Sequence, residues 1–218
     1  MDKKAFLKYI SALLIFGMNG IVASNIALNS YEIVFMRTLI GSILLIVLFL
    51  SGKGKFHIKE NKKDTVFIAL SGVAMGASWM FLYEAYQQIG VSFASLLYYC
   101  GPVIVMILSP IIFRENLTFP KVAGFLIVLV GILFVNGNVT ENNNNLWGLL
   151  CGGMSAIMYF FMVTFNKKSK NISGTENSVI QLVISFLTVA AFIGIKQGFA
   201  IDVAANDWIW IFILGIVN

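Results

Sequence analysis

The sequence predicts an all-α polytopic membrane protein built from two like halves. Three observations carry that prediction. Hydrophobic residues make up 59% of the 218-residue chain and charged residues 11%, with a mean hydropathy of +0.88. An average soluble domain carries about a quarter charged residues, so this chain lacks the polar groups to cover its surface in water. The apolar residues also gather in runs close to the roughly 20 helical residues that a bilayer core of about 30 Å requires. Finally, Tyr31-Glu32, Arg37, Asp64 and Gly72 recur in the same order as Thr175-Glu176, Gln181, Asp207 and Gly215, at offsets of 143 or 144 residues.

Lipid offers no hydrogen bonds to the backbone, so each apolar run is expected to be a helix that pairs its own N–H and C=O groups. The runs cover 9–28, 33–50, 65–86, 91–113, 119–136, 146–165 and 179–195. The first is too long for a signal-peptide core and lacks a small-residue cleavage site, so it is a retained helix. The fourth contains Gly101-Pro102 near its middle. The missing N–H of Pro102 frees a carbonyl, and the resulting kink either hinges alternating access or shapes the bundle. Pro120 opens the fifth run, where proline is tolerated and acts as punctuation. An eighth run starts at Trp208 and has ten residues to Val217, about 15 Å of helix and half a crossing. The first half continues well past Gly72, so the second half is expected to be incomplete and the chain truncated.

Charge sets the threading. With the N-terminus in the cytoplasm, thirteen of the fifteen Lys and Arg fall in cytoplasmic segments; Lys196 lies outside and Arg37 within a span. That bias fixes orientation. The segment 51–64 holds five lysines, whereas its counterpart 196–207 holds one lysine and two aspartates. Apolar pattern is kept while loop charge is lost, as expected for halves that enter the membrane from opposite sides, with a site at their seam near the midplane. A net charge of +5 and a pI of 9.2 therefore reflect membrane orientation rather than a nucleic-acid face. Cys100 and Cys151 lie inside apolar runs and read as packing residues. The single histidine, His57, sits in a basic loop. No metal site, cofactor or nucleic-acid partner is expected, and two intramembrane ionisable groups make a poor catalytic kit.

Arg37 and Glu84 are the ionisable side chains inside spans, at similar depth, where they pair, line one aqueous vestibule, or serve as structural anchors. A protonatable Glu84 offers possible proton coupling. Candidate cavity residues are Asn19, Trp79, Tyr83, Ser95, Tyr99, Tyr159 and Gln181. Gly72, Gly76, Trp79, Tyr83 and Tyr86 share one helical face; Ser92, Ser95, Tyr99, Pro102 and Met106 another; Gly148, Gly152, Ser155 and Tyr159 a third. Small residues at one end admit close helix approach, while polar-tipped aromatics at the other suit a partly apolar, hydrogen-bonding solute. The alternative is helix packing and an interfacial aromatic belt, to which Tyr86, at the boundary, is assigned. Gly101 and Pro102 are the candidate hinge.

Several of these pieces resemble the EamA-type repeat of the drug/metabolite transporter superfamily. They are Glu32-Ile-Val-Phe-Met-Arg37, Tyr83-Glu-Ala-Tyr86, Leu97-Tyr-Tyr-Cys-Gly-Pro102-Val and Arg114-Glu115-Asn-Leu-Thr118. The resemblance implies a ten-helix, 5+5 inverted-repeat transporter fold, present here through about seven and a half helices. It divides the chain into a first repeat at 5–137 and an incomplete second repeat at 146–218. It further implies alternating-access export of a small organic metabolite or drug across the bilayer of the cell (inner) membrane. Cargo and oligomeric state do not transfer with it. A membrane-embedded enzyme and a non-transporting assembly or lipid-handling subunit are the alternatives.

Overall fold

The structure, a computed structural model, describes residues 3–114, 116, 118–136, 145–172, 174–199 and 201–217. All regular structure among them is helical. The order is α1 (Lys3–Gly17), α2 (Asn19–Ala23), α3 (Ser30–Ser51), α4 (Lys62–Ile89), α5 (Val91–Phe113), α6 (Phe119–Asn136), α7 (Leu146–Lys168), α8 (Gly174–Lys196), α9 (Asp207–Phe212) and a π-helical turn at Ile213–Val217. Five of these helices, α3, α4, α5, α7 and α8, are long and apolar enough to cross a bilayer.

Local chemistry explains the boundaries. Asn29 caps α3: its side chain accepts from Tyr31 N and Glu32 N, and the Glu32 carboxylate accepts Asn29 N in return, which satisfies orphan donors on both sides of the helix start. Gly90 alone separates α4 from α5. Its φ of 80° belongs to glycine, which carries no Cβ to clash. The helix α5 runs through Pro102 and Pro110. The carbonyl that Pro110 leaves without a backbone donor, Met106 O, receives the Ser109 hydroxyl at 3.0 Å.

The first span departs from expectation. Residues 9–28 are not one helix: α1 ends at Gly17, Met18 forms a turn, and α2 stops at Ala23. Beyond it, Ser24 Oγ and Asn25 Nδ2 both donate to Ile21 O at 2.8 Å. Such local side-chain bonds offer the backbone an alternative to helix. The break leaves Asn19 at the start of α2, 3% exposed.

The central helix is α4, which packs against α3, α5, α7 and α8; α3 lies on α8, and α5 on α7. Where α4 meets α8 the backbones are close. A Cβ at Gly72 would stand 2.6 Å from Gln181 O, and one at Gly76 3.0 Å from Ser185 O. Serines tie the helices through backbone carbonyls: Ser71 Oγ to Met162 O at 2.7 Å, Ser78 Oγ to Ser155 O at 2.8 Å and Ser42 Oγ to Leu182 O at 3.3 Å. In a medium without a hydrophobic drive between helices, small residues and such bonds supply the association.

The contacts are reciprocal. Gly72 of α4 faces Gln181 and Ile184 of α8, whereas Gly215 faces Arg37 and Ile40 of α3; each residue is matched by one 143 or 144 positions away. Asp64, near the start of α4, accepts the backbone N–H of Lys170 at 3.2 Å and of Asn171 at 2.7 Å. Asp207, opening α9, accepts that of Ala27 at 3.1 Å, and Lys170 and Ala27 are again 143 apart. Glu32 takes Gln197 Nε2 from beyond the end of α8, while Glu176 takes His57 from beyond the end of α3. The Lys170–Asp64 bond thus has its equivalent in Ala27–Asp207, and Glu32 and Glu176 likewise take matched partners, while the Asn171–Asp64 bond has no counterpart among the described residues.

Candidate functional site

Arg37 is the hub. It lies two turns into α3, 4% exposed. Its Nη1 donates to Tyr83 Oη at 2.8 Å and Asn19 Oδ1 at 3.3 Å, and the Tyr83 hydroxyl donates to Asn19 Oδ1 at 3.3 Å. The guanidinium carbon lies 4.2 Å from the centroid of the Trp79 ring and 5.7 Å from that of Tyr83. Trp79 and Tyr83 are one turn apart on α4, so one helix presents both rings. Four of the residues singled out from the sequence, Asn19, Arg37, Trp79 and Tyr83, thus meet, drawn from three helices.

Glu84 does not join them. Being next to Tyr83 on α4, it points off that face: its carboxylate accepts from Ser30 Oγ at 2.6 Å, Gln88 Nε2 at 3.1 Å and Trp147 Nε1 at 3.3 Å. Of the alternatives for Arg37 and Glu84, direct pairing is the one this structure does not show. Among the described residues the one ion pair is His57–Glu176, 3.1 Å apart at the lysine-rich end. Similar depth did not bring Arg37 and Glu84 together, because a step of one residue turns a helical side chain by about 100°.

Two cavities flank the cluster on the side away from the lysines. One of about 160 Å³ is lined by Ile26, Ile33, Tyr83, Tyr86 and Gln87 among others. A smaller one of about 30 Å³ is walled by Asn19, Tyr86, Ser95, Tyr98 and Tyr99. On the lysine-rich side, a cavity of about 420 Å³ is lined by Met75, Met162, Asn166, Lys167 and Gln181. Gln181 is also tied to α4, donating to Ser71 Oγ at 2.7 Å. Tyr83, Asn19, Ser95, Tyr99 and Gln181 thus line cavities, whereas Trp79, Arg37 and Tyr159 are not in the linings of these three.

The face expected of α5 is rotated by about one residue. Its buried positions are Ala94, Tyr98, Gly101 and Ser109, whereas Tyr99 is 37% exposed and Ser92 and Pro102 are turned outward. Gly101 lies against α7, where a Cβ would come within 2.8 Å of Tyr159, and Tyr159 meets Tyr98 edge-on with centroids 5.3 Å apart. Gly101 serves as a contact point in this conformation, and the helix is unbroken across Gly101-Pro102.

Tyr86 and Tyr98 are the residues that sequence reasoning missed. Tyr86, assigned above to the interfacial belt, packs on Tyr83 with centroids 5.3 Å apart, receives the Ser95 hydroxyl at 3.3 Å and lines both outer cavities. The signal was present: Tyr86 already shares the helical face of Trp79 and Tyr83.

A profile of the EamA-like transporter family matches residues 3–137. The chain belongs to this family. It is 26% identical over 218 residues to an uncharacterized transporter, YxxF, of Bacillus subtilis, covering 98% of this chain and 69% of that one. It is also 24% identical over 206 residues to the pseudopaline exporter CntI of Pseudomonas aeruginosa, covering 92% of this chain and again 69% of the relative. A solved crystal structure shares the fold, with a TM-score of 0.76 at 17% identity, covering 99% of this chain and 75% of that one. The EamA chain is thus an all-helical, multi-pass membrane protein of a transporter family.

Proposed function

We propose that this chain moves a small organic metabolite or drug out of the cell by alternating access between two inverted halves, 5–137 and 146–218, with its N-terminus in the cytoplasm of the cell (inner) membrane. One observation carries the reading: cavities open toward opposite ends of the bundle, one beside Met75 and Gln181 and the others beside Tyr83 and Tyr86, with Trp79 and Arg37 between them. Met75 and Tyr83 are eight residues apart on α4, about 12 Å, so a short packed layer separates the two sides. Two reciprocal sets of helix contacts support the rest, since tightening one set while loosening the other opens one side and closes the other. Export also agrees with the exporter role that the name of the CntI relative carries.

Proton coupling through Glu84 belongs to the same proposal. It is partly buried, at the non-lysine end, where a proton from outside can reach it. Replacing it by Gln is expected to flatten the pH dependence of flux; an unchanged rate and pH profile removes Glu84 from the coupling step.

The transport reading is tested in proteoliposomes that hold the 218-residue chain and are loaded with a bacterial metabolite extract, with the external medium followed by mass spectrometry. One or a few small solutes are expected to escape faster than from protein-free liposomes. Retention of every solute at the protein-free rate overturns the reading, and appearance of a new mass favours a membrane-embedded enzyme instead.

A further inference from the structure

Arg37 brings a permanent positive charge into the interior without a negative partner among the described residues. It is 4% exposed, its hydrogen-bond partners are a phenol and an amide, and the one ion pair among the described residues lies elsewhere. Glu84 is committed to Ser30, Gln88 and Trp147. Burial of an uncompensated charge costs several kcal/mol, of which hydrogen bonds to neutral acceptors and the Trp79 ring return a part. Both hydrogen bonds of the guanidinium leave from Nη1. A guanidinium has five donors set in a planar fork that matches a carboxylate.

We infer that Arg37 anchors a small organic monocarboxylate, which names the substrate class of the transport reading above and rests on it. The charge balance calls for a single negative charge, since Arg37 is the one Lys or Arg that is buried among the described residues. The body of the ligand is apolar or aromatic, because Tyr83, Tyr86 and Tyr98 line the outer cavities next to Arg37. Asn19 and Tyr83 stand between Arg37 and the outer cavities. A carboxylate arriving there replaces a neutral acceptor of the guanidinium by an anionic one, which adds the attraction of opposite charges in a shielded interior. A neutral or cationic solute gains nothing from that exchange, so Arg37 selects as well as binds.

Calorimetric titration of the purified chain in micelles tests this without calling on flux. The probes are phenylacetate and isovalerate, each beside its neutral amide. Both acids are expected to bind at least about tenfold more tightly than their amides, and Arg37→Gln to abolish that preference. Arg37→Lys, which keeps the charge but loses the fork, is expected to keep the preference with about tenfold weaker binding, and it serves as the probe should Arg37→Gln not yield monodisperse protein. Equal affinity for acid and amide, binding of neither acid, or wild-type acid affinity in either variant overturns the inference. If amides bind as well as acids while proteoliposomes still show flux, the carboxylate is wrong and transport stands. Acid-selective binding with no flux upholds the carboxylate site and removes transport.

Discussion

At the residue scale, two glycines and one histidine carry the sharpest expectations. Gly72 has no room for a methyl group: a Cβ would sit 2.6 Å from Gln181 O and 2.8 Å from Ile184 Cβ. Gly72→Ala is therefore expected to cost about 1–3 kcal/mol, read as a lower thermal midpoint in micelles, and Gly215→Ala, 2.8 Å from Ile40 Cβ, a similar amount. Gly153 is the control, since nothing lies within 4 Å of its would-be Cβ. His57 bears on pH. The hydrogen bond to Glu176, then the charge of that carboxylate, hold its pKa above the ordinary imidazole value. Its contribution is thus complete below the unfolded value of about 6.5 and is lost as pH rises through the higher folded value. The difference in thermal midpoint between wild type and His57→Ala is expected to shrink from pH 6 to pH 9; a gap that widens with pH contradicts this. Neither the partner of His57 nor those of Arg37 were legible in the sequence, because they come from other elements, from 18 to 119 residues away.

At the scale of elements, the aspartates near the starts of α4 and α9 brace segments distant in the sequence. Asp64 holds two backbone donors and Asp207 one. Removing an acceptor from a part-buried donor costs about 1–3 kcal/mol, so Asp64→Ala is expected to destabilise more than Asp207→Ala in denaturant titrations. Ser78→Ala cuts the tie to Ser155 O; interhelical bonds of this kind average about 0.6 kcal/mol in membrane proteins, so a small loss is expected. The face of α4 was readable because its glycines, Trp79 and Tyr83 recur at three and four residues. The face of α5 was not. With polar and aromatic residues side by side at 98 and 99, periodicity alone does not say which one turns inward, and the answer came from the fit of Gly101 against Tyr159. The break after Gly17 was not legible, because Gly17, Met18 and Asn19 are all tolerated within a membrane helix and the turn at Met18 shows only in the backbone.

At the scale of the whole molecule, the proposed threading makes a direct prediction. In a background with Cys100 and Cys151 replaced by Ala, a cysteine at Lys55 should react with a membrane-impermeant thiol reagent only from the cytoplasmic side, and one at Asp202 only from outside. Labelling of both from one face overturns the inverted arrangement. Composition determined on its own that the chain lives in lipid, because 11% charged residues cannot clothe a soluble surface of this size. Spacing determined which residues correspond, because several that lie 143 or 144 apart make matched contacts. The tertiary structure alone decided that Asn19, Arg37, Trp79 and Tyr83 converge while Glu84 turns away. A helix rotates about 100° per residue, so depth in the membrane is written in the sequence, but the direction each side chain faces is settled only when helices pack.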